Sequence, residues 1–347
     1  MSSPNIRIPI PKQPFDPPVY FCRRAPFPLV PDGDLEKDFW KDAPFTADFR
    51  DIEGPGMPVP RFATRAKILW DDENLYIGAV LEGDEIWAYQ TEHDCVIFRD
   101  NDFEIFIDPD SDTQEYVEYE MNALNTNWDL LLTKAYRDGG SAVNGLEVKG
   151  LDSAVKICGK LNEADPENRF WSVEVVIPFE TLAEVSSSKK PPLPGDFCRM
   201  NFSRVQWKVD REGNRWVKRK DPETGSPLPE DNWVWSPTGV INIHYPELWA
   251  FVFFCDEKHR GGEIPEEERV KWELRKLYYA EQIHRDLYGC YSGDLNRLEA
   301  ILKEYSPCAE NASVSLPEPV SIEVTKSFFE LRCGNVVLYA DGKVSVS

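Results

Sequence analysis

The stretch DNDFEIFIDPDSDTQEYVEYEMNA, residues 100–123, has the pattern of a β-hairpin: two alternating runs joined by an acidic turn. Successive strand residues point to opposite faces of a sheet, so one face of this hairpin is almost entirely apolar. The other face carries three carboxylates and an amide, those of Glu104, Glu118, Glu120 and Asn122. This polar face has two interpretations, an ordinary solvated surface or a site for a ligand rich in hydroxyl groups.

Alternating segments continue on both sides of this hairpin. Residues 61–81, RFATRAKILWDDENLYIGAVL, predict a strand, a turn and a second strand. Further strands are predicted over 125–132, 154–161, 170–178 and 200–207 and at the end of 233–254, with a short helix at IPFETLAEV and a charged loop over 208–231. Many short strands separated by turns, with few helices, indicate an all-β immunoglobulin-like β-sandwich.

The two ends of the chain have different patterns. Residues 1–30 are rich in proline and predict an arm that is extended on the surface or partly disordered. After Cys255, apolar residues recur at helical spacing from Pro265 to Gly289, a shorter helix follows, and the tail contains an Asp341-Gly342 turn. We therefore predict three parts: the arm at 1–30, the sandwich at 31–255 and a small α+β appendage at 256–347.

Composition excludes several classes of partner. The chain has 347 residues and a net charge of −22, which disfavours nucleic acid and anionic membrane surfaces. No apolar run approaches the roughly 20 residues that span a bilayer, and the eight cysteines form no CxxC pair. We expect a cytoplasmic protein, or a secreted one if a leader has been removed.

Three groups of segments together resemble carbohydrate-binding module family 9, in its branch of stand-alone proteins. They are TRAKILWDDENLYIGAVLE, the hairpin with the NTNWDLLL that follows it, and FCRMNFSRVQW with NWVWSPTGVINIHYPELWAFVFF. The resemblance covers residues 31–255. It implies a β-sandwich related to immunoglobulin-like and DOMON domains, and non-catalytic binding of oligosaccharide or polysaccharide chain ends, such as those of xylan or cellulose, in carbohydrate catabolism.

The resemblance also implies a set of binding residues. Relatives clamp a sugar between two tryptophans, helped by acidic, amide and arginine side chains. Here the first tryptophan position holds Phe98, the strand carboxylate is Glu104, the arginine position holds Glu120, and the second tryptophan falls near Ile243 or His244. Trp87, Trp128, Trp233 and Trp235 are alternative platforms or core residues. The predicted carbohydrate-binding residues are Trp87, Phe98, Glu104, Glu120, Asn122, Arg204 and His244, and Arg204 has a second interpretation as a structural partner of a glutamate.

The turn of the hairpin has the spacing of a cation site. Asp108, Asp110 and Asp112 supply oxygen ligands at every second position, which suits calcium, and resembling modules bind calcium structurally. The alternative is that these aspartates hydrogen-bond their own turn. No other cofactor and no catalytic residue is predicted.

Three other functions compete with sugar binding. A glycoside hydrolase would use two carboxylates, for which Glu104 and Glu120 are candidates. A haem module would need axial ligands such as Met121, His93 or His244. A degenerate family 9-like module would serve as a structural or protein-interaction domain.

Overall fold

The computed structural model describes residues 5–346, which are mostly β, with few helices. The strands are β1 (Val19–Arg24), β2 (Arg50–Asp51), β3 (Thr64–Trp70), β4 (Asn74–Glu82), β5 (Asp102–Asp108), β6 (Gln114–Asn122), β7 (Asn127–Lys134), β8 (Ala142–Val143), β9 (Asp152–Cys158), β10 (Phe170–Pro178), β11 (Phe197–Gln206), β12 (Val209–Glu212), β13 (Arg215–Lys218), β14 (Asp231–Val234), β15 (Ala250–Phe254), β16 (Ser321–Val324), β17 (Phe329–Cys333), β18 (Val336–Tyr339) and β19 (Val344–Val346). The α-helices are α1 (Phe179–Val185), α2 (Glu266–Tyr288) and α3 (Leu295–Tyr305), and single 3₁₀ turns lie at Asp38–Trp40, Ile97–Arg99, Tyr136–Asp138, Pro246–Leu248 and Ala309–Asn311.

Thirteen strands form one curled mixed sheet in the order β8-β7-β6-β5-β11-β15-β1-β3-β4-β10-β9, with β14 paired to β11 and β2. Strand β1 is parallel to both of its neighbours, β15 and β3. The two halves of the sheet contribute to the same core cluster, with Ile68 and Ile77 from one half and Ile105, Met121 and Phe202 from the other. The sheet therefore curls so that its halves face a shared apolar interior. The prediction of a mostly β protein is confirmed.

The hairpin quoted at the outset forms β5 and β6. Phe103, Ile105 and Ile107 lie in the main core, as their alternation predicted. On β6, Val117, Tyr119 and Met121 do the same. The remaining residues of both strands consequently point away from this core and form the opposite face of the sheet.

The N-terminal arm differs from its prediction over part of its length. Residues 19–24 are not a surface arm: they form β1, near the middle of the sheet, with Tyr20 and Cys22 in the main core. Further upstream, Ile8 and Ile10 are buried in a second core. Local sequence did not reveal this because the strand is short, is flanked by prolines and pairs with partners distant in the chain. Residues 1–4 of the predicted arm lie outside the described residues.

The second core is built mainly by the C-terminal part of the chain. Helices α2 and α3 pack with a four-stranded sheet in the order β16-β17-β18-β19, and the predicted Asp341-Gly342 turn joins the last two strands. Tyr245 belongs to the same core, so this unit is packed against the rest of the chain. Among the described residues, no helix is both long and apolar enough to cross a bilayer.

One predicted loop contains a hairpin. Residues 208–231 were predicted as a charged loop, but β12 and β13 pair within it, with Asp210 opposite Val217. This hairpin projects from the end of β11, beside one of the cavities described below.

Candidate functional site

An open cleft lies on the outward face of β5, β6, β7 and β11, and we call it the acidic cleft. Its volume is about 310 Å³. Strand β14 around Asn232 and the loop around His244 complete its lining. The residues that line it are Ile52, Phe98, Glu104, Glu118, Glu120, Trp128, Leu130, Tyr136, Ser203, Val205, Glu230, Asn232, Ile241, Asn242, Ile243 and His244.

Strand register brings three glutamates together in this cleft. Glu104 pairs directly with Glu120 in the β5–β6 ladder, and Glu118 pairs with Phe106 one alternation further along. All three point away from the main core because their neighbours in sequence point into it. Their residues are only 6%, 6% and 2% exposed for Glu104, Glu118 and Glu120. The cleft floor is thus a compact carboxylate cluster.

Burial dominates the electrostatics of this cluster. It raises the pKa of Glu104 to about 7. Repulsion from Glu230 adds to this rise, whereas a hydrogen bond with Ser203 lowers the pKa. Burial also raises the pKa of Glu118 and of Glu120 well above the usual glutamate range, and the negative charge of Glu104 adds to both shifts. Hydrogen bonding with Glu120 offsets part of the rise in the pKa of Glu118. The cluster can therefore both accept and donate hydrogen bonds near neutral pH.

Aromatic rings form the walls. Trp128 pairs with Glu120 across the β6–β7 ladder and so lies on the same face of the sheet. Phe98 and Tyr136 are 40% and 47% exposed. The Tyr136 ring meets His244 edge to face, with ring centroids 4.7 Å apart. These rings offer an apolar surface next to the carboxylates.

His244 is held as a neutral side chain. Its Nδ1 is 2.8 Å from the Tyr116 hydroxyl. Burial lowers the pKa of His244 to about 4, and the positive charge of Arg137 lowers it further. A neutral imidazole supplies the wall of the cleft without compensating the charge of the glutamates.

The structure places four of the seven predicted binding residues in this cleft: Phe98, Glu104, Glu120 and His244. Trp128, which the sequence suggested as an alternative platform, also lines it. Their role in binding stays a prediction, but they do share one cavity.

The other three predicted residues lie elsewhere. Arg204 is on the opposite face of β11, the face of Phe202, because it is two residues further along the strand. Its guanidinium donates to Thr64, Gln206 and the Glu82 carbonyl, so it bonds within the structure, although none of these partners is a glutamate carboxylate.

Asn122 and Trp87 are likewise outside the acidic cleft. The Asn122 amide donates to the Gln90 carbonyl and its oxygen accepts from the backbone N–H groups of Leu124 and Thr126, so it organises a turn. Trp87 is buried and lines a separate cavity with Trp216 and Lys218.

The predicted calcium turn uses its carboxylates locally. Oxygens of Asp108, Asp110 and Asp112 lie within 4.8 Å of one another. Asp108 accepts from the backbone N–H groups of Ser111 and Thr113, and Asp112 accepts from that of Gln114. This geometry is what the alternative interpretation, hydrogen bonding within the turn, requires. Calcium binding at this turn stays a prediction.

Sequence reasoning missed several cleft residues. Tyr136, Glu230 and Asn232 reach the cleft from segments that are remote in sequence from the hairpin. Their positions depend on the curl of the sheet, for which the sequence carries no local signal. Ser203 could have been found, because it alternates with Phe202 on a predicted strand.

The predicted haem ligands do not converge. Met121 lies in the main core, as its alternation predicted, whereas His244 is on the wall of the acidic cleft. His93 is exposed, next to Asn127 and Glu147.

Three of the solved structures that resemble this chain are 14–15% identical to it. A protein from Bacteroides uniformis matches with a TM-score of 0.49, covering 69% of this chain and 99% of its own. A carbohydrate-binding module of family 9 from Caldicellulosiruptor kristjanssonii in complex with cellotriose matches with a TM-score of 0.45 over 71% of this chain and 97% of that module. A family 9 module from the same organism in complex with glucose gives a TM-score of 0.42, over 68% and 95% of the two chains.

Sequence comparison identifies the family. No curated protein matches this chain. The sequence profile of the carbohydrate family 9 binding domain-like family matches residues 31–224, from the segment before β2 to the loop after β13. That match spans more than half of the chain and confirms the resemblance derived from its motifs. The chain belongs to the carbohydrate family 9 binding domain-like family.

Proposed function

We propose that this protein binds carbohydrate in the acidic cleft and that the binding is non-catalytic. One observation carries the proposal. Glu104, Glu118 and Glu120 converge in an open cavity whose walls are Trp128 and Tyr136, in a chain of the carbohydrate family 9 binding domain-like family.

The cleft has the chemistry that a sugar requires. A pyranose presents an apolar C–H face and a rim of hydroxyl groups. Carboxylates accept strong hydrogen bonds from hydroxyls, and a protonated carboxyl donates one. Ser203 and Asn242 add further polar groups at the edge. The Trp128 ring supplies an apolar surface for the C–H face.

The size of the cleft favours a short ligand. Its volume of about 310 Å³ is at the small end of the roughly 300–1,000 Å³ range of small-molecule sites. This suits a monosaccharide, a short oligosaccharide or the end of a longer chain, rather than an extended internal segment. We therefore propose chain ends of plant-type polysaccharides, such as cellulose or xylan, as the natural ligands.

Calorimetric titration of the full chain tests this function. The family 9 modules named above hold glucose and cellotriose, so these ligands come first, followed by xylo- and manno-oligosaccharides. We expect saturable binding that is weakened in Glu104→Gln and in Trp128→Ala. The matched control is Glu323→Gln, a neutralised exposed glutamate on β16, which should bind as the parent does. If no sugar binds at millimolar concentration, the module is a degenerate one.

The proposal also covers the detailed architecture of the sheet and the boundaries of the three parts of the chain. We propose that the curled sheet is an immunoglobulin-like sandwich of residues 31–255, completed by β1 from the N-terminal arm, with 256–347 as the appendage. The observation in support is that both halves of the sheet face one core. Incubation with xylan and cellulose should release no reducing sugar, and cell fractionation tests the predicted cytoplasmic location.

A further inference from the structure

A fourth carboxylate lies beneath the glutamates of the acidic cleft. Asp102 is the first residue of β5, on the same face as Glu104, and it is fully buried. One oxygen each from Asp102, Glu104 and Glu120 lies within 4.8 Å of the other two. Calcium binds oxygen at about 2.3–2.6 Å, so two oxygens on one ion are at most about 5 Å apart. The three carboxylates therefore have the spacing of ligands to a single cation.

A second, independent observation at Asp102 also points to a ligand. Its Oδ1 accepts from the backbone N–H of Val205 at 3.1 Å. Its Oδ2 is buried and has no hydrogen-bond partner among the described residues. An unsatisfied buried polar atom costs about 1–3 kcal/mol, and more for a charged group. A bound cation would remove that cost.

Three other buried carboxylates of this chain pair with cations. Glu174 and Glu247 are buried and form ion pairs with Lys37 and Arg137, respectively. Glu268 is also buried, and it pairs with both Arg199 and Lys271. Within the described residues, Asp102, Glu104 and Glu120 form no such ion pair. Lys218 is near enough to act on Asp102 through its charge, but its Nζ lies over the Trp207 ring, 3.2 Å from the ring centre. In the described part of the chain, the trio thus lacks the cationic partners that these three glutamates have, as do Asp100, Asp108 and Glu281 among the other buried carboxylates.

We propose that Asp102, Glu104 and Glu120 form a binding site for a hard divalent cation of the Ca²⁺ type at the floor of the acidic cleft. Calcium takes six to eight oxygen ligands, including bidentate carboxylates and water. Glu118 lies beside the trio, and the open side of the cleft admits water or the hydroxyls of a sugar. The cation would then bridge protein and sugar, a role that rests on the proposed function, although the metal site itself does not.

The turn at Asp108, Asp110 and Asp112 provides the internal comparison. Its oxygens are equally close to one another, but backbone N–H groups already donate to all three carboxylates. Among the described residues, this turn has no buried carboxylate oxygen without a hydrogen-bond partner. We accordingly place the cation at the cleft floor and not at this turn.

The test is calcium titration of the full chain after chelator treatment, by calorimetry and by terbium luminescence excited through tryptophan. We expect binding at the cleft, weakened at least tenfold in Asp102→Asn and in Glu120→Gln and unchanged in Glu323→Gln. Thermal unfolding of each variant checks that it is folded, and Glu104→Gln replaces any variant that is not.

Three results would overturn the proposal. The first is that calcium does not bind, which would mean that the carboxylates share protons instead. The second is that binding survives both cleft substitutions, and the third is that it is lost in Asp110→Asn alone, which would place the ion at the turn. Sugar titrations of metal-free and calcium-loaded protein separate the two proposals. Calcium binding without any sugar binding would contradict the proposed function alone. Sugar binding without any calcium binding would contradict the metal site alone.

Discussion

Glu104 and Glu120 stand directly opposite each other in the β5–β6 ladder, and both are almost completely buried. Like charges in directly opposed positions destabilise a sheet. Burial adds to this cost because it disfavours the charged form of each group. A pair that only filled space would be less costly as two apolar residues, so its presence favours a role in binding.

The cluster should make stability depend on pH. Burial raises the folded-state pKa of Glu104 from 4.5 to about 7, and the pKa values of Asp102, Glu118 and Glu120 are raised as well. The folded state therefore holds these protons more tightly than the unfolded state does. Its stability is greatest below the unfolded pKa, and it falls as the pH rises from about 4.5 through about 7.

Glutamine substitution should remove this dependence. We expect the Glu104→Gln variant to lose less stability than the parent between pH 5 and pH 8 in the absence of calcium, measured as the denaturation midpoint in urea. At pH 8 the variant should be the more stable of the two. Identical pH profiles for parent and variant would show that Glu104 is not perturbed as described.

Trp128 should contribute to affinity for the sugar, in addition to its packing against the cluster that contains Phe106 and Tyr116. Its ring is partly exposed on the cleft wall, and its Nε1 has no hydrogen-bond partner among the described residues. Aromatic contacts of this kind are worth roughly 0.5–1.5 kcal/mol, so Trp128→Ala should weaken sugar binding up to about tenfold. Trp128→Phe should retain part of the affinity. Tyr288→Ala, an exposed aromatic on α2, is the control, and an equal loss there would contradict a specific role.

The Arg137–Glu247 pair should stabilise the contact between the sheet and helix α2. Arg137 donates to both Glu247 oxygens at 2.8 Å, and the hydroxyl of Tyr279 on α2 donates to the same carboxylate. Burial alone would raise the pKa of Glu247, but Arg137 and Arg275 hold it at about 2. Arg137→Met leaves this buried charge poorly compensated and should cost about 3–5 kcal/mol of unfolding free energy.

A surface pair provides the matched control for that substitution. Lys134 and Asp341 also join β7 to the C-terminal sheet, 3.3 Å apart, but both side chains are partly exposed. Exposed pairs are worth about 0–1 kcal/mol, so Lys134→Met should change stability little. Urea denaturation of both variants gives the comparison, and equal losses would mean that burial of the arginine pair is not what matters.

Glu174 should stabilise the packing of the segment before β2. It is fully buried, accepts from the Trp40 indole at 2.6 Å and from the Gly33 N–H at 2.9 Å, and pairs with Lys37. Glu174→Gln replaces one acceptor oxygen with an NH₂ group that faces other hydrogen-bond donors. We expect a loss of roughly 2–4 kcal/mol by thermal or urea unfolding. Glu180→Gln, on the exposed side of α1, should lose almost nothing, and a similar loss at both positions would contradict the assignment.

The hairpin at β5 and β6 could be predicted from sequence because its information is local. Alternation alone places Ile105 in the core and Glu104 opposite it, and no distant residue needs to be known. Helix α2 follows in the same way from its helical period and its terminal Gly289.

What could not be predicted depends on contacts between distant parts of the chain. Strand β1 is stabilised by parallel pairing with β15 and β3, whose residues are far away in sequence. Tyr136 and Asn232 enter the cleft through the curl of the sheet. Arg204 is a different case. Met200, Phe202 and Arg204 occupy every second position of β11, so they share one face of the strand. That alternation is visible in the sequence and is enough to place Arg204 on the core face.

The most direct test of the central claim is a crystal structure of the full chain grown or soaked with cellotriose. Sugar binding in the acidic cleft predicts electron density for a saccharide ring against Trp128, with its hydroxyls within hydrogen-bond distance of Glu104 or Glu120. Density in the separate cavity lined by Trp87 and Trp216, or an acidic cleft without sugar at saturating ligand, would contradict it.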